Sequence, residues 1–156
     1  MRVAVAADHA GFPLKRSVLD EVRRLGHEAI DLGTHSDEPV DYPDIAEAAG
    51  LAVQRRDVDR AIVLCGSGVG ASVAATKLQG IRSAVAHDTY SAHQGVEHDD
   101  MNVLAIGARV VGPELAVELV RAFLAAKFSG EERHIRRLGK INAIEERSTR
   151  RTERSM

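Results

Sequence analysis

The chain has no tryptophan, two tyrosines, three phenylalanines, one cysteine and four prolines among 156 residues, and no marked excess of either charge. Each shortage excludes something. Lys and Arg number 21 against 23 Asp and Glu, a net charge of -2, so the broad positive field that gathers a phosphate backbone is missing. Five aromatics also offer few stacking platforms, and nucleic acid drops out as a primary partner. No apolar run approaches the roughly 20 residues that span a bilayer, and Met1-Arg2 leads directly into the short run Val3 to Ala7 rather than into a signal peptide. The expectation is a cytoplasmic protein with no membrane association. Cys65 alone forms neither an internal disulfide nor a cysteine metal cage, so any special use of it is as a thiol.

What is present suits a folded domain: 44% of residues are apolar and 28% charged. A chain of this size buries about two-thirds of its unfolded surface. We expect one domain over residues 1–147 and an unstructured polar tail over 148–156. Val3 to Ala7 reads as a strand, and Pro13 opens a helix with Leu14, Val18, Leu19, Val22 and Leu25 on its apolar face. Glu28 to Leu32 is a second strand, Pro43 starts a second helix, and Ala61 to Leu64 is the continuous apolar run of a strand covered on both faces. Helices over Ala71 to Leu78 and Tyr90 to His98 alternate with strands Ser83 to Ala86 and Val103 to Ile106. A helix from Pro113 and a last one over Glu131 to Glu146 complete the chain. Five strand–helix units imply a Rossmann-like three-layer α/β/α fold: a five-stranded parallel sheet, right-handed crossovers and an extra C-terminal helix. The last helix carries Ile135, Leu138, Ile141 and Ile144 among many charges, a pattern that suits packing on a partner subunit.

Ligands of such sheets bind beyond the carboxyl ends of the strands. That rule selects Asp8-His9, Gly33-Thr34, Cys65 to Gly70, His87-Asp88 and Gly107 to Arg109. Cys65-Gly66-Ser67-Gly68-Val69-Gly70 joins a strand to a helix through glycines whose N–H groups can converge on an anion. A thiol at the mouth of that loop is a candidate base or nucleophile; elsewhere a lone cysteine is simply a small buried residue. Gly66-x-Gly68-x-x-Ala71 with Asp88 on the next strand also fits a dinucleotide fingerprint, but it follows the third strand and lacks a second mononucleotide half. Asp8 either caps the first helix or accepts hydroxyl hydrogen bonds, and His9 is placed to donate to a phosphate or carboxylate. His93 and His98, five apart, face different directions on a helix, so no local zinc pair forms; His98 is the better general acid. Arg133 and Arg137 share a helical face at i, i+4, which suits either phosphate oxygens or a solvated charged surface, and Arg109 follows the last strand.

Asp8-His9-Ala10-Gly11, Asp41-Tyr42-Pro43, Cys65 to Gly70, Gly80-Ile81-Arg82, His98 with Asn102-Val103-Leu104, Gly107-Ala108-Arg109-Val110 and Arg133-His134 with Arg137 occur in this order. Together they resemble the family of ribose-5-phosphate isomerase B and the galactose-6-phosphate isomerase subunits, from Val3 to about Ile144. The resemblance implies a metal-free, cofactor-free aldose–ketose isomerisation, ribose 5-phosphate to ribulose 5-phosphate, through an enediolate. It implies Cys65 as the base, with Ser67 supporting it and the amides from Gly66 through Gly68 to Gly70 stabilising the enediolate. His98 and Asp8 would open the furanose ring, Tyr42 would line the cleft, and His9, Arg109, Arg133, His134 and Arg137 would hold the phosphate. The implied assembly is a homodimer with shared active sites, or a tetramer of such dimers. Two positions depart from the pattern: Asp99 stands where the family has Asn, and Thr76 where it has Asn after Ala74-Ala75. A carboxylate beside a developing enediolate opposes it unless bonded to a substrate hydroxyl, so Asp99 is counted among the substrate contacts and another aldose phosphate is an alternative substrate.

Overall fold

The computed structural model describes residues 1–156. Strand β1 (Arg2–Ala7) leads into helix α1 (Phe12–Arg24), β2 (Glu28–Asp31) into α2 (Tyr42–Gln54), and β3 (Arg60–Cys65) into α3 (Val69–Ala75). The second half runs β4 (Ser83–Val85), α4 (Thr89–Asp99), β5 (Val103–Gly107), α5 (Pro113–Ala125) and α6 (Glu132–Arg154). All strands pair in parallel, in the order β2-β1-β3-β5-β4, as the expected α/β/α fold requires. No helix is long and apolar enough to cross a membrane.

The central strands carry apolar residues on both faces because helices cover both. On one face Val3, Val5, Ile62, Leu64, Leu104 and Ile106 meet α1, α4 and α5, with Phe123 fully buried among them. The other face is smaller: Ala4, Ala6, Ala61 and Val63 meet alanines of α2 and α3. Small side chains there let α2 and α3 approach the sheet closely, which brings Tyr42 over the glycine loop. Across the larger face the buried Glu21 of α1 accepts from Arg24 and from Arg121 of α5, and the Arg24 hydrogen bond leads in holding its carboxyl down at about 2.

Two boundaries differ from those the pattern predicts. Helix α3 ends at Ala75, because the Thr76 hydroxyl takes the Val73 carbonyl and the Lys77 and Leu78 N–H groups turn back to Ala74 and Ala75. Helix α6 continues to Arg154 where a tail without structure was expected from Ser148. Arg and Glu are good helix formers, Glu146 pairs with Arg150 at i, i+4, and Thr149, Thr152 and Ser155 cap carbonyls one turn back. A polar sequence lacking a core face can still be helical.

Candidate active site

The strand order puts the carboxyl ends of β1, β3 and β5 side by side, so the turns that follow them share one edge. Main-chain bonds lace these turns together: the Asp8 N–H donates to the Leu64 carbonyl, Ala108 to Cys65 and Arg109 to Gly66. Above them lies a cleft of about 340 Å³ lined by Asp8, His9, Tyr42, Cys65, Gly66, Ser67, Gly70 and Arg109, with Ala10 and Val110. Eight of the expected site residues thus meet within one chain.

Steric fit explains why the loop is glycine-rich. Gly68 has φ +81, a left-handed conformation strained for any residue with a Cβ. A Cβ on Gly70 would lie 2.6 Å from the Tyr42 ring, and one on Gly107 would lie 2.6 Å from the Ser67 carbonyl group. Cys65 ends β3 at 4% exposure, yet its side chain opens onto the cleft, and the Gly68 N–H donates to its Sγ at 3.0 Å. The sulfur therefore faces a fixed amide dipole. Ser67 is exposed beside it, its Oγ accepting from Val69 N–H at 3.2 Å.

Asp8 braces the turn before α1, whose N-cap position is Gly11, and also borders the cleft. Its Oδ1 accepts the Gly11 N–H at 2.8 Å, holding the turn into α1, while the buried carboxylate lines the cleft. His9 accepts the Val40 N–H at Nδ1, 3.2 Å away, so in the neutral ring Nε2 carries the proton and is a donor. Arg109 is exposed, forms no ion pair and lies over Gly66. An unpaired guanidinium and an imidazole donor flanking one cleft suit an anionic group.

Gly68 sits in the loop beside Cys65, and the other five expected residues lie apart, on α4 and α6. His98 is half-buried; its Nδ1 is 2.8 Å from Gln94 Nε2, and its ring stacks on that of His134 with centroids 4.0 Å apart. His134, expected to contact phosphate, is 1% exposed, so no anion reaches it in this chain. Burial, the adjoining His98 ring and Arg133 hold its imidazole below the usual histidine range. Arg133 is paired with Glu131 at 2.9 Å, and Arg137 is exposed without an ion-pair partner. Asp99 does not face the thiol of its own chain: it lines a groove between β4, α4 and α6 with Thr76, Ile141 and Ile144. None of these five residues lines the Cys65 cleft.

Other candidates are engaged structurally. Asp88 caps α4, accepting Ser91 N–H at 2.6 Å, a bond that also lowers its carboxyl, so it is not a free ribose acceptor. His87 accepts the Gly107 N–H at 2.9 Å and His93 pairs with Glu97 at 2.9 Å, both on Nε2. No three His, Cys, Asp or Glu side chains converge as metal ligands. Sequence reasoning missed Gln94 and Ser129, which bond the two stacked histidines; only the i, i+4 spacing of Gln94 and His98 signalled the first.

Comparison with known proteins supplies the remaining finding. Residues 3–141 match the model of a family described as Ribose/Galactose Isomerase. The ribose-5-phosphate isomerase B of Escherichia coli is 47% identical over 146 residues, covering 94% of this chain and 97% of that protein. A D-erythrulose-4-phosphate isomerase of Pectobacterium atrosepticum is 39% identical, covering 83% and 86%. Among solved structures, the Clostridium thermocellum ribose-5-phosphate isomerase B superposes with a TM-score of 0.91 at 46% identity, covering 95% and 99%.

Proposed function

The chain belongs to the ribose/galactose isomerase family, and from that premise we propose that it interconverts ribose 5-phosphate and ribulose 5-phosphate with Cys65 as the base. It is a sugar-phosphate isomerase of the ribose-5-phosphate isomerase B type. The observation that carries the residue assignment is the Cys65 sulfur lining a cleft that also holds Asp8, His9 and Arg109.

The chemistry follows from those positions. Ring opening needs the C1 hydroxyl proton to leave toward a base such as the Asp8 carboxylate while the C1–O4 bond breaks and O4 receives a proton from an acid. The Cys65 thiolate then removes the C2 proton. The C–H electron pair forms C1=C2, and negative charge grows on O1, where the amides around Gly66 to Gly70 stabilise it. A proton passes from O2 to O1, the thiol returns its proton to C1, and C2 becomes the ketone. No cofactor, metal or net redox partner enters this scheme. His9 and Arg109 hold the phosphate at the cleft mouth.

The acid is the element this chain does not bring to its own cleft. His98 lies at the α4–α6 junction with Arg133 and Arg137 nearby, and α6 exposes Ile135, Ile141 and Ile144. We assign the acid to His98 of the partner subunit in a homodimer with shared sites, from which a tetramer could be built, the partner's Arg133 and Arg137 completing the phosphate site. A lone reduced thiol fits a cytoplasmic location. The tetrose reading has its own support in the Pectobacterium relative and in Asp99, which departs from the family pattern. Ribose 5-phosphate remains the first choice because the E. coli relative is the more similar and spans more of the chain.

The deciding assay incubates the protein in deuterated water with ribose 5-phosphate or with D-erythrose 4-phosphate, reading ketose formation and exchange at C2. Faster turnover of the pentose is expected. Cys65→Ala should lower both turnover and C2 exchange by about 10³-fold while phosphate affinity stays within a few-fold. Exchange retained in that variant would reject the thiol as base, and preference for the tetrose would reassign the substrate.

A further inference from the structure

We propose that His134 is a positioning residue: a buried imidazole shelf that fixes the His98 ring so that its Nε2 faces outward as the proton donor. The proposal rests on His98 acting as the ring-opening acid. His134 is the only buried residue of the 23 in α6; the others are exposed or, like Leu138, half-buried. A polar ring is a costly choice for the one position that α6 inserts into the domain, where leucine would give equal volume without an unmet hydrogen bond. His134 Nε2 is in fact buried without any partner.

The contacts show what the ring does there. Ser129 Oγ lies 2.5 Å from His134 Nδ1 and also accepts the Glu131 N–H at 3.2 Å, so the hydroxyl hydrogen is available to Nδ1. The Ser129 N–H in turn donates to the Glu97 carbonyl at 2.9 Å, tying the loop before α6 to the last turn of α4. His98 is thus held from two sides. Gln94 Nε2 donates to Nδ1, which in a neutral ring leaves the proton on Nε2, and the His134 face, tilted by 27°, blocks rotation about the bond to the ring.

The shelf must also stay neutral. Two imidazolium rings 4.0 Å apart repel, so a charged His134 would oppose proton uptake by His98. The other charged groups facing His134 are Arg133 and Arg137 on α6, which oppose its protonation, and Glu131 before it, which favours it. Burial adds to the arginines, and the neutral ring prevails.

The test uses the full chain and four variants: His98→Asn, His134→Ala, His134→Phe and Ser129→Ala. Ribose 5-phosphate turnover is measured together with the nitrogen-15 shifts of the His98 ring and the melting temperature. His134→Ala should lower kcat by about 10- to 100-fold with KM changed less than about threefold, because a misplaced acid costs rate rather than affinity. Its His98 shifts should move from one fixed tautomer toward the average of two. His134→Phe, which restores the stacked face, should recover most of kcat, and Ser129→Ala should fall between. If His134→Ala keeps kcat and the fixed tautomer, the shelf is not needed and the proposal fails. Should His134→Ala not fold, Ser129→Ala with unchanged kcat and tautomer overturns it equally. An unchanged kcat in His98→Asn instead overturns the underlying acid assignment.

Discussion

At the Cys65 cleft, positions are set by main chain: the Gly68 amide meets the sulfur, Gly107 presses on Ser67, and three strand ends are hydrogen-bonded together. At the junction of α4 and α6, positions are set by side chains, with His98 leaning on His134 and on Gln94. The first region gathers eight of the expected residues around one cleft, whereas the second places His98, Arg133 and Arg137 away from that cleft. Main-chain construction suits stabilisation of charge that develops at one fixed place, since amide dipoles need no reorganisation. Side-chain construction would suit groups delivered to another chain, as the shared site we propose requires. The difference predicts which defects can be repaired by mixing subunits.

The largest expected effect comes from that mixing. Cys65→Ala and His98→Asn should each be nearly inactive alone. Co-expressed with separate tags and equal abundance, they should recover about a quarter of wild-type activity, because half the dimers are mixed and each mixed dimer has one intact site. Activity in purified mixed dimers that stays at the level of the single variants would mean that each chain serves itself, and the comparison would lose its basis.

Much of the cleft was legible in the sequence. Val3 to Ala7 and Ala61 to Leu64 are apolar without alternation, which only strands covered on both faces require, and the segments after them fall at the ligand edge. Glycines at 66, 68 and 70 then mark the turn, and at 68 and 70 a Cβ would be strained or would clash. The second region was less legible, because its placement depends on tertiary packing. His134 sits among arginines in a segment that reads as solvated, and nothing in its neighbours signals that it alone of α6 is inserted. Asp99 follows His98 directly, yet one residue along a helix is a rotation of about 100°, enough to send it to the groove beside Ile141. The continuation of α6 past Ser148 was hidden for a related reason: periodicity detects a buried face, and this segment buries none.

A substitution in the cleft that is invisible to chemistry should still be severe. Gly107→Ala places a Cβ 2.6 Å from the Ser67 carbonyl group, main chain that cannot swing aside. We expect a loss of about 2–4 kcal/mol in denaturant unfolding. Gly112→Ala, five residues on, meets nothing within 4 Å and should cost no more than about 1 kcal/mol, the loss of a favourable N-cap on α5. Equal effects at the two positions would show that the loop adjusts, and that its main chain is no more fixed than the side chains around His98.

The smallest effect concerns the helix that carries the second region. Gly139 lies inside α6, and a Cβ there meets nothing within 4 Å of its own chain. Glycine in a helix interior costs about 1 kcal/mol relative to alanine, so Gly139→Ala should stiffen α6 between His134 and Ile144 and raise stability by about 0.5–1 kcal/mol. Because the position touches neither the cleft nor the stacked histidines, KM for the sugar phosphate should stay within about twofold. Unfolding curves and steady-state rates measured on the same preparation test both parts. Destabilisation with a rise in KM would mean that a neighbouring chain packs closely on this glycine, making α6 a seam between subunits along its middle rather than only near its arginines.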